Sequence, residues 1–425
     1  MPSRWWFADD PFLFAYVSTI HNPIRIFIDP GILRHFTGGA ALVPMQALTY
    51  WVDVRLAGFS PGFAYGHQIC SFLLTLLVFY LLLARYLRDR AAALVGTLVW
   101  ALLPATAVVL QFLATRHYME GLLFGVLSLY LADRLFNRDG PLRWWKYVAV
   151  LAPAAVGMLY KEIYAPVVPV LLLAHSWKRR DRRLIALTAA TALGYTLYRS
   201  WVLAFDLRYD QVPLLTPWDY VRFLSKLPYT FLSNYGSYLI FGLCMALYIY
   251  VLLRRKDAAG MCACFLGLII VSLLTIFPVS YPLYGLIRRP DSWYRIVFLL
   301  NSIIVGFTTC IAVRYAGRRV QGVLAVVTLA VLLPGIVKTR ALWTEMTDSA
   351  ELEGKFYLSN PDKLLLSEQE AWWFMPGVNQ MYDVRPPHYV LLKDLATTRI
   401  KPGTALWRLK AGTFLPDYDS LTSHK

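Results

Sequence analysis

Charge is what this 425-residue sequence has least of: Asp, Glu, Lys and Arg together make up 16% of it, where soluble domains carry about a quarter. Six stretches, 56–84, 91–115, 227–253, 258–287, 296–313 and 320–337, contain none of these four residues. That shortage excludes an ordinary soluble chain. About 20 consecutive apolar residues make a helix long enough to cross a bilayer, and helices satisfy their own backbone where water is missing. Cysteine is scarce too. Cys70, Cys244, Cys262, Cys264 and Cys310 all lie in or beside apolar runs, which argues against disulfides. One closely spaced pair offers too few ligands for a zinc centre. Internal repeats, low-complexity segments and a signal-peptide pattern are also absent.

What charge there is sits unevenly. Lys/Arg outnumber Asp/Glu by 42 to 26, a net +16, yet residues 338–425 hold eleven of each. The excess therefore belongs to the apolar part, where its placement reports orientation rather than nucleic-acid binding. Basic residues gather in five short connections: Arg85/Arg88/Arg90, Arg134/Arg138/Arg143/Lys146, Lys178–Arg183, Arg254/Arg255/Lys256 and Arg314/Arg318/Arg319. By the positive-inside rule these face the cytoplasm. The alternate connections and both ends of the chain then face outward. The expected fold is an all-α polytopic membrane protein with about ten transmembrane helices, near 66–84, 92–113, 118–134, 147–160, 163–176, 184–204, 231–253, 260–281, 295–313 and 320–337. Residues 147–177 read as a hairpin with Lys161-Glu162 at its outer turn, because both flanks are basic and a charged pair at mid-membrane is expensive.

Three parts follow: an extracytoplasmic first loop (1–65), a transmembrane helical domain (66–337) and a small extracytoplasmic C-terminal subdomain (338–425). The last includes alternating stretches such as Ala405-Leu406-Trp407-Arg408-Leu409. Phe12–Ile20 is too short for a signal anchor, so a first transmembrane helix upstream of Met1 is expected in the native protein.

The highest local density of acid is Asp9-Asp10, inside Arg4-Trp5-Trp6-Phe7-Ala8-Asp9-Asp10-Pro11-Phe12. Aromatic residues favour headgroup depth, so Trp5, Trp6 and Phe7 are expected to hold the two acids at the outer interface. A carboxylate there can act as a general base or hold a divalent cation; alternatively it caps the helix that Pro11 opens. Farther on, Gly58-Phe59 leads into Tyr65-Gly66-His67. Leu103-Pro104 precedes Arg116-His117, and Lys161-Glu162 precedes a proline-containing apolar run.

An external Asp-Asp after an aromatic, a Gly-Phe…Tyr-x-His entry into an apolar helix, a Leu-Pro twelve residues before an Arg, and a Lys-Glu resemble, in that order, the membrane glycosyltransferases of the GT-C class. The resemblance is to the protein O-mannosyltransferase-like branch found with tetratricopeptide repeats, and it covers roughly 1–205. It implies an inverting sugar transfer from a polyprenyl-phosphate carrier to an acceptor on the extracytoplasmic face of a plasma (inner) membrane. Asp9 and Asp10 match the family's acidic pair, as base or as ligands of a divalent cation such as Mg or Mn. Arg116 matches its Arg, assigned to phosphate recognition. Lys161 and Glu162 match its Lys-Glu, read as an ion pair shaping the site. His67 matches its motif His, read first as a packing or hydrogen-bonding residue, and His117 is a neighbouring candidate.

The chain also departs from the pattern. The family usually has a His before the proline of the second outer motif and an acid four residues after it, where Leu103 and Val108 stand. The repeats are absent. Outside the resemblance, Arg288, Arg289 and Arg295 lie beside aromatics in an outer loop, where guanidiniums can clamp a lipid phosphate bidentately or simply attract anionic headgroups. Arg199 lies inside an expected span, a functional hint by default. The competing classes are a lipid-linked-glycan flippase or transporter, a polysaccharide polymerase or ligase, and a non-catalytic membrane scaffold.

Overall fold

The computed structural model describes residues 5–37, 41–136, 143–203, 216–232, 236–255, 259–276, 294–316, 318–367, 374–385, 387–391, 406–410 and 413–417. The acidic motif leads into four helices, α1 (Asp10–Ser18), α2 (Arg25–Ile28), α3 (Pro30–Thr37) and α4 (Pro44–Ala57). The stretch expected as a first loop is thus largely helical. Next, α5 (Pro61–Leu87) starts at the Ser60 N-cap, whose hydroxyl accepts from the Phe63 N–H. Pro61 occupies the first helical turn, where its missing N–H does no harm.

The expected span at 92–113 is not one straight helix. It is α6 (Arg90–Ala101) and α7 (Pro104–Gln111), bent by 60°. The cause is local: Pro104 disfavours helical backbone at the residue before it, and Leu103 is extended at φ −62°, ψ 142°.

The chain continues through α8 (Arg116–Phe136), α9 (Trp144–Tyr160), α10 (Tyr164–Arg179), α11 (Arg182–Leu203), α12 (Pro217–Leu232), α13 (Gly236–Arg254), α14 (Ala259–Ile276), α15 (Phe298–Tyr315) and α16 (Arg318–Ser359). The helices α9 and α10 break at Lys161-Glu162, as the hairpin reading expected. Close approach packs them against α8. A Cβ on Gly157 would lie 3.1 Å from the Gly121 carbonyl oxygen, and one on Gly121 would collide with the Tyr164 ring.

Among the described residues, α5, α13, α15 and α16 are long and apolar enough to cross a membrane, and the bent pair α6–α7 makes up to five. Shorter apolar helices cover Tyr164–Ser176 and Ala259–Leu273. The protein is a multi-pass helical membrane protein by these helices, though they do not reach the expected ten. Within α8, Arg116, Glu120, Asp133 and Arg134 interrupt the apolar sequence, so length alone does not make it an apolar span.

The division at 337/338 also shifts, because α16 runs unbroken to Ser359. Good helix formers continue it, and Glu351 and Lys355 pair one turn apart at 2.5 Å, a spacing that supports an exposed helix. Beyond it lies a four-stranded sheet of β1 (Leu364–Ser367), β2 (Tyr389–Leu391), β3 (Leu406–Lys410) and β4 (Thr413–Asp417), in the order β2-β1-β3-β4. β1 is parallel to β2 and β3, and β3 is antiparallel to β4. The alternating Leu406-Trp407-Arg408-Leu409 forms β3, as its period of two implies.

Between β1 and β2, α17 (Phe374–Met381) packs so tightly on the start of α1 that a Cβ on Gly377 would strike the backbone of Pro11 and Phe12. Trp6 is fully buried and donates to the Tyr382 hydroxyl at 3.2 Å. Phe7 lies edge-on to Phe112 and Trp343. The motif aromatics expected as interfacial anchors, Trp6 and Phe7, are therefore core residues, covered by a helix some 370 positions away in sequence.

Candidate active site

Ala8 stands at φ 48°, a left-handed conformation that costs an L-residue about 1–2 kcal/mol. This kink precedes the two acids, and they do different things. Asp10 is completely buried. One of its oxygens accepts from its own segment, the Phe7 N–H at 3.1 Å, and the other from the Ala114 N–H at 2.7 Å. The side chain thus ties the amino-terminal segment to the short turn Leu113–Thr115, which Gln46 and Tyr50 also hold through its carbonyls. Burial pushes the Asp10 carboxyl well above the usual carboxylate range, while the two N–H donors pull the other way.

Asp9 is half-buried and occupies the N-cap position of α1 without making a capping hydrogen bond. The bland role suggested for it is therefore not the one it plays. Burial raises its carboxyl above the ordinary value, opposed by the Arg295 guanidinium. Arg295 lies in the turn Tyr294–Val297 and stacks its guanidinium over Phe112, 5.3 Å from the ring centroid. Arg288 and Arg289 lie outside the described residues.

The same cluster continues through His117, whose charged neighbours are Lys161 and Arg295. His117 is 8% exposed, and neither ring nitrogen has a well-formed hydrogen bond among the described residues. Lys161 sits 5.7 Å over the Tyr118 ring, and Tyr118 in turn lies tilted against His117, ring centroids 4.4 Å apart. The ion pair expected of Lys161 and Glu162 is present at 3.8 Å. Glu162 also accepts from the Leu42 N–H at 2.7 Å and faces Arg199 Nε at 3.6 Å. The hairpin turn is therefore a hub joining α9, α10, α11 and the segment before α4.

Arg116 and His67 belong elsewhere. The Arg116 guanidinium is fully buried, 2.5 Å from Asp53 and 2.7 Å from the Ala64 carbonyl, over the ring of Tyr50. Its expected phosphate role is not what this geometry serves, because the group is spent on an internal carboxylate and has no exposed face. His67 bridges Asp53 at 2.7 Å and Glu120 at 3.2 Å, and Glu120 accepts from Ser71 at 2.9 Å. His67 thus keeps the hydrogen-bonding role first read for it and lies outside the Asp9 cluster.

Asp53 and Glu120 are the partners that sequence reasoning passed over. Glu120 was detectable, as an acid one turn beyond Arg116 at the head of an apolar run, where a charge marks a designed interaction. Arg116, Asp53, His67 and Glu120 fasten α4, α5 and α8 together immediately after the turn that Asp10 grips.

The residues do not fit a metal shared by the acidic pair. Both Asp10 oxygens are taken by backbone N–H donors, Asp9 faces a guanidinium, and no group of three His, Cys, Asp or Glu side chains converges among the described residues. The expected divalent cation on Asp9 and Asp10 therefore does not fit the donors present. What the site does combine is a carboxylate, a guanidinium, an ammonium and a shielded imidazole. Such a set can accept a proton and hold an anion at one place.

No family model matches this chain, and no curated protein matches it. Among solved structures it is similar to the crystal structure of ArnT from Cupriavidus metallidurans bound to undecaprenyl phosphate, with 14% identity and a TM-score of 0.41 over 95% of this chain and 89% of that one. At that identity and score the likeness assigns this chain neither a family nor an activity.

Proposed function

We propose that this protein is a membrane glycosyltransferase of the GT-C class that moves a sugar from a polyprenyl-phosphate carrier to an acceptor on the extracytoplasmic face. The observation that carries the reading is the placement of a half-buried, non-capping Asp9 opposite Arg295, with Lys161 and His117 alongside. The ordered motifs of the first half of the chain support the donor class. In this reading Asp9 takes the acceptor's proton as the acceptor oxygen attacks the anomeric carbon and inverts it. The bond to the carrier phosphate breaks, and Arg295 and Lys161 stabilise the departing phosphate, a task for fixed cations in a water-poor site. His117 lies alongside as a further hydrogen-bonding group for the bound sugar or phosphate. Asp10 and the Arg116 network hold the frame.

The test is turnover of polyprenyl-phosphate sugars by the purified protein in lipid, followed across pH. A base works deprotonated. Because burial raises the Asp9 carboxyl, turnover should fall as pH drops through a midpoint above the ordinary carboxylate range, and should be steady at higher pH until another group titrates. Failure to consume any polyprenyl-phosphate sugar, with the protein folded, contradicts the reading.

A further inference from the structure

Away from the Asp9 cluster, a cavity of about 300 Å³ opens between α2, α9 and α11, lined by Phe27, Met158, Leu159, Gly194, Tyr195 and Tyr198 among others. Its wall is almost wholly apolar, with one unresolved polar group. Tyr195 is 8% exposed, and its buried hydroxyl has no hydrogen-bond partner among the described residues. The neighbouring Tyr198 hydroxyl, by contrast, donates to the Phe27 carbonyl at 2.8 Å. A buried hydroxyl left unpaired is destabilising, so a ligand with an acceptor at this depth would relieve it.

Charges toward the carboxyl-terminal end of α11 define that ligand further. One turn beyond Tyr195, Arg199 pairs with Glu162 at 3.6 Å, and both charges lie near the Tyr195 hydroxyl. Arg34, exposed on α3, donates to a neutral group, the Val202 carbonyl, at 2.7 Å. Two guanidiniums thus flank the end of α11 away from its basic loop. Four residues of helix separate Tyr195 from Arg199 by about 6 Å along the axis, a spacing that suits a fatty-acyl ester and the phosphate of the same lipid. Beside the cavity, Leu193, Leu197 and Trp201 form an exposed apolar stripe at helical spacing, each more than half exposed. The opening therefore faces the bilayer, with Trp201 at the interfacial end where aromatic residues settle.

We propose that this cavity is a binding site for an anionic phospholipid of the membrane. One acyl chain lies against Gly194, the Tyr195 hydroxyl donates to the ester carbonyl, and Arg199 and Arg34 meet the phosphate. The site is independent of the transfer reaction and does not rest on it.

Gly194 supplies the means of testing it. It lines the cavity and a Cβ there meets nothing within 4 Å, so Gly194→Leu adds bulk at the cavity wall without a clash at its first atom. The experiment is native mass spectrometry of the full chain in detergent, titrated separately with phosphatidylglycerol, phosphatidylcholine and a polyprenyl phosphate. The expected result is one phosphatidylglycerol retained per chain in preference to phosphatidylcholine. Gly194→Leu should weaken that retention about tenfold, and Arg199→Gln should erase the preference for the anionic lipid. Tyr195→Phe keeps folding intact and separates the two effects. It should raise the unfolding midpoint of delipidated protein, by removing an unpaired hydroxyl, while weakening phosphatidylglycerol binding. Retention unaffected by Gly194→Leu overturns the site. Retention of polyprenyl phosphate in place of phosphatidylglycerol, abolished by Gly194→Leu, overturns the assigned occupant.

Discussion

Asp9→Asn should reduce sugar transfer by about 10²- to 10⁴-fold, the range by which a positioned general base contributes, without moving the unfolding midpoint. The reason is that Asp9 makes no capping hydrogen bond and carries no part of the local frame. Asp10→Asn should give the opposite pattern. An amide can accept from only one of the Phe7 and Ala114 N–H groups that the carboxyl now serves. A buried donor left unmet costs about 1–3 kcal/mol. That variant should unfold earlier, and whatever activity it loses should follow the loosened attachment of the amino-terminal segment. Turnover and thermal unfolding, measured on the same preparations, separate the two adjacent acids. If Asp9→Asn turns over normally, Asp9 is not the base.

The largest stability effect should come from Arg116→Gln. Arg116 is wholly buried against Asp53, and Asp53 and Glu120 are almost as deeply enclosed. Removing one partner of a buried ion pair typically costs about 3–5 kcal/mol, because the other charge stays behind uncompensated. Here two buried carboxylates would remain with His67 as their shared partner. Thermal unfolding in detergent should show a large drop for Arg116→Gln and a comparable one for Asp53→Ala. The double variant should cost clearly less than the sum of the two, as residues sharing one network do. Additive losses would mean that the two side chains do not depend on each other.

Much of this architecture was legible in the hydropathy. The apolar runs at 66–84, 231–253, 295–313 and 320–337 fall on α5, α13, α15 and α16. The charged pair Lys161-Glu162 marks the break between α9 and α10, because two helices can turn where a charge would be costly to bury. Other features were beyond a linear reading. The bend at Leu103 needs a single proline to act on its predecessor, which a hydropathy window averages away. The burial of Trp6 and Phe7 depends on α16 and α17, hundreds of residues later, so their composition alone suggested an interface instead.

The site divided along the same line. Asp9, Asp10, Lys161 and Arg295 are candidates that the sequence offers and the proposal keeps. That Asp10 is tied to the backbone while Asp9 is not rests on two N–H groups that no sequence pattern reveals. Arg116 shows the converse. The resemblance assigns Arg116 to phosphate recognition, whereas its partner Asp53, 63 residues away, occupies its guanidinium.

The most direct test of the account measures carrier binding and turnover together in Asp9→Asn and Arg295→Gln. Polyprenyl phosphate should bind Asp9→Asn as well as, or better than, the parent protein, since a competing carboxylate has gone. It should bind Arg295→Gln about tenfold or more weakly, as loss of a charged hydrogen-bonding partner implies, and transfer should fail in the first variant despite full occupancy. Equal binding and equal turnover in parent, Asp9→Asn and Arg295→Gln would contradict a reaction centred on this carboxylate and this guanidinium.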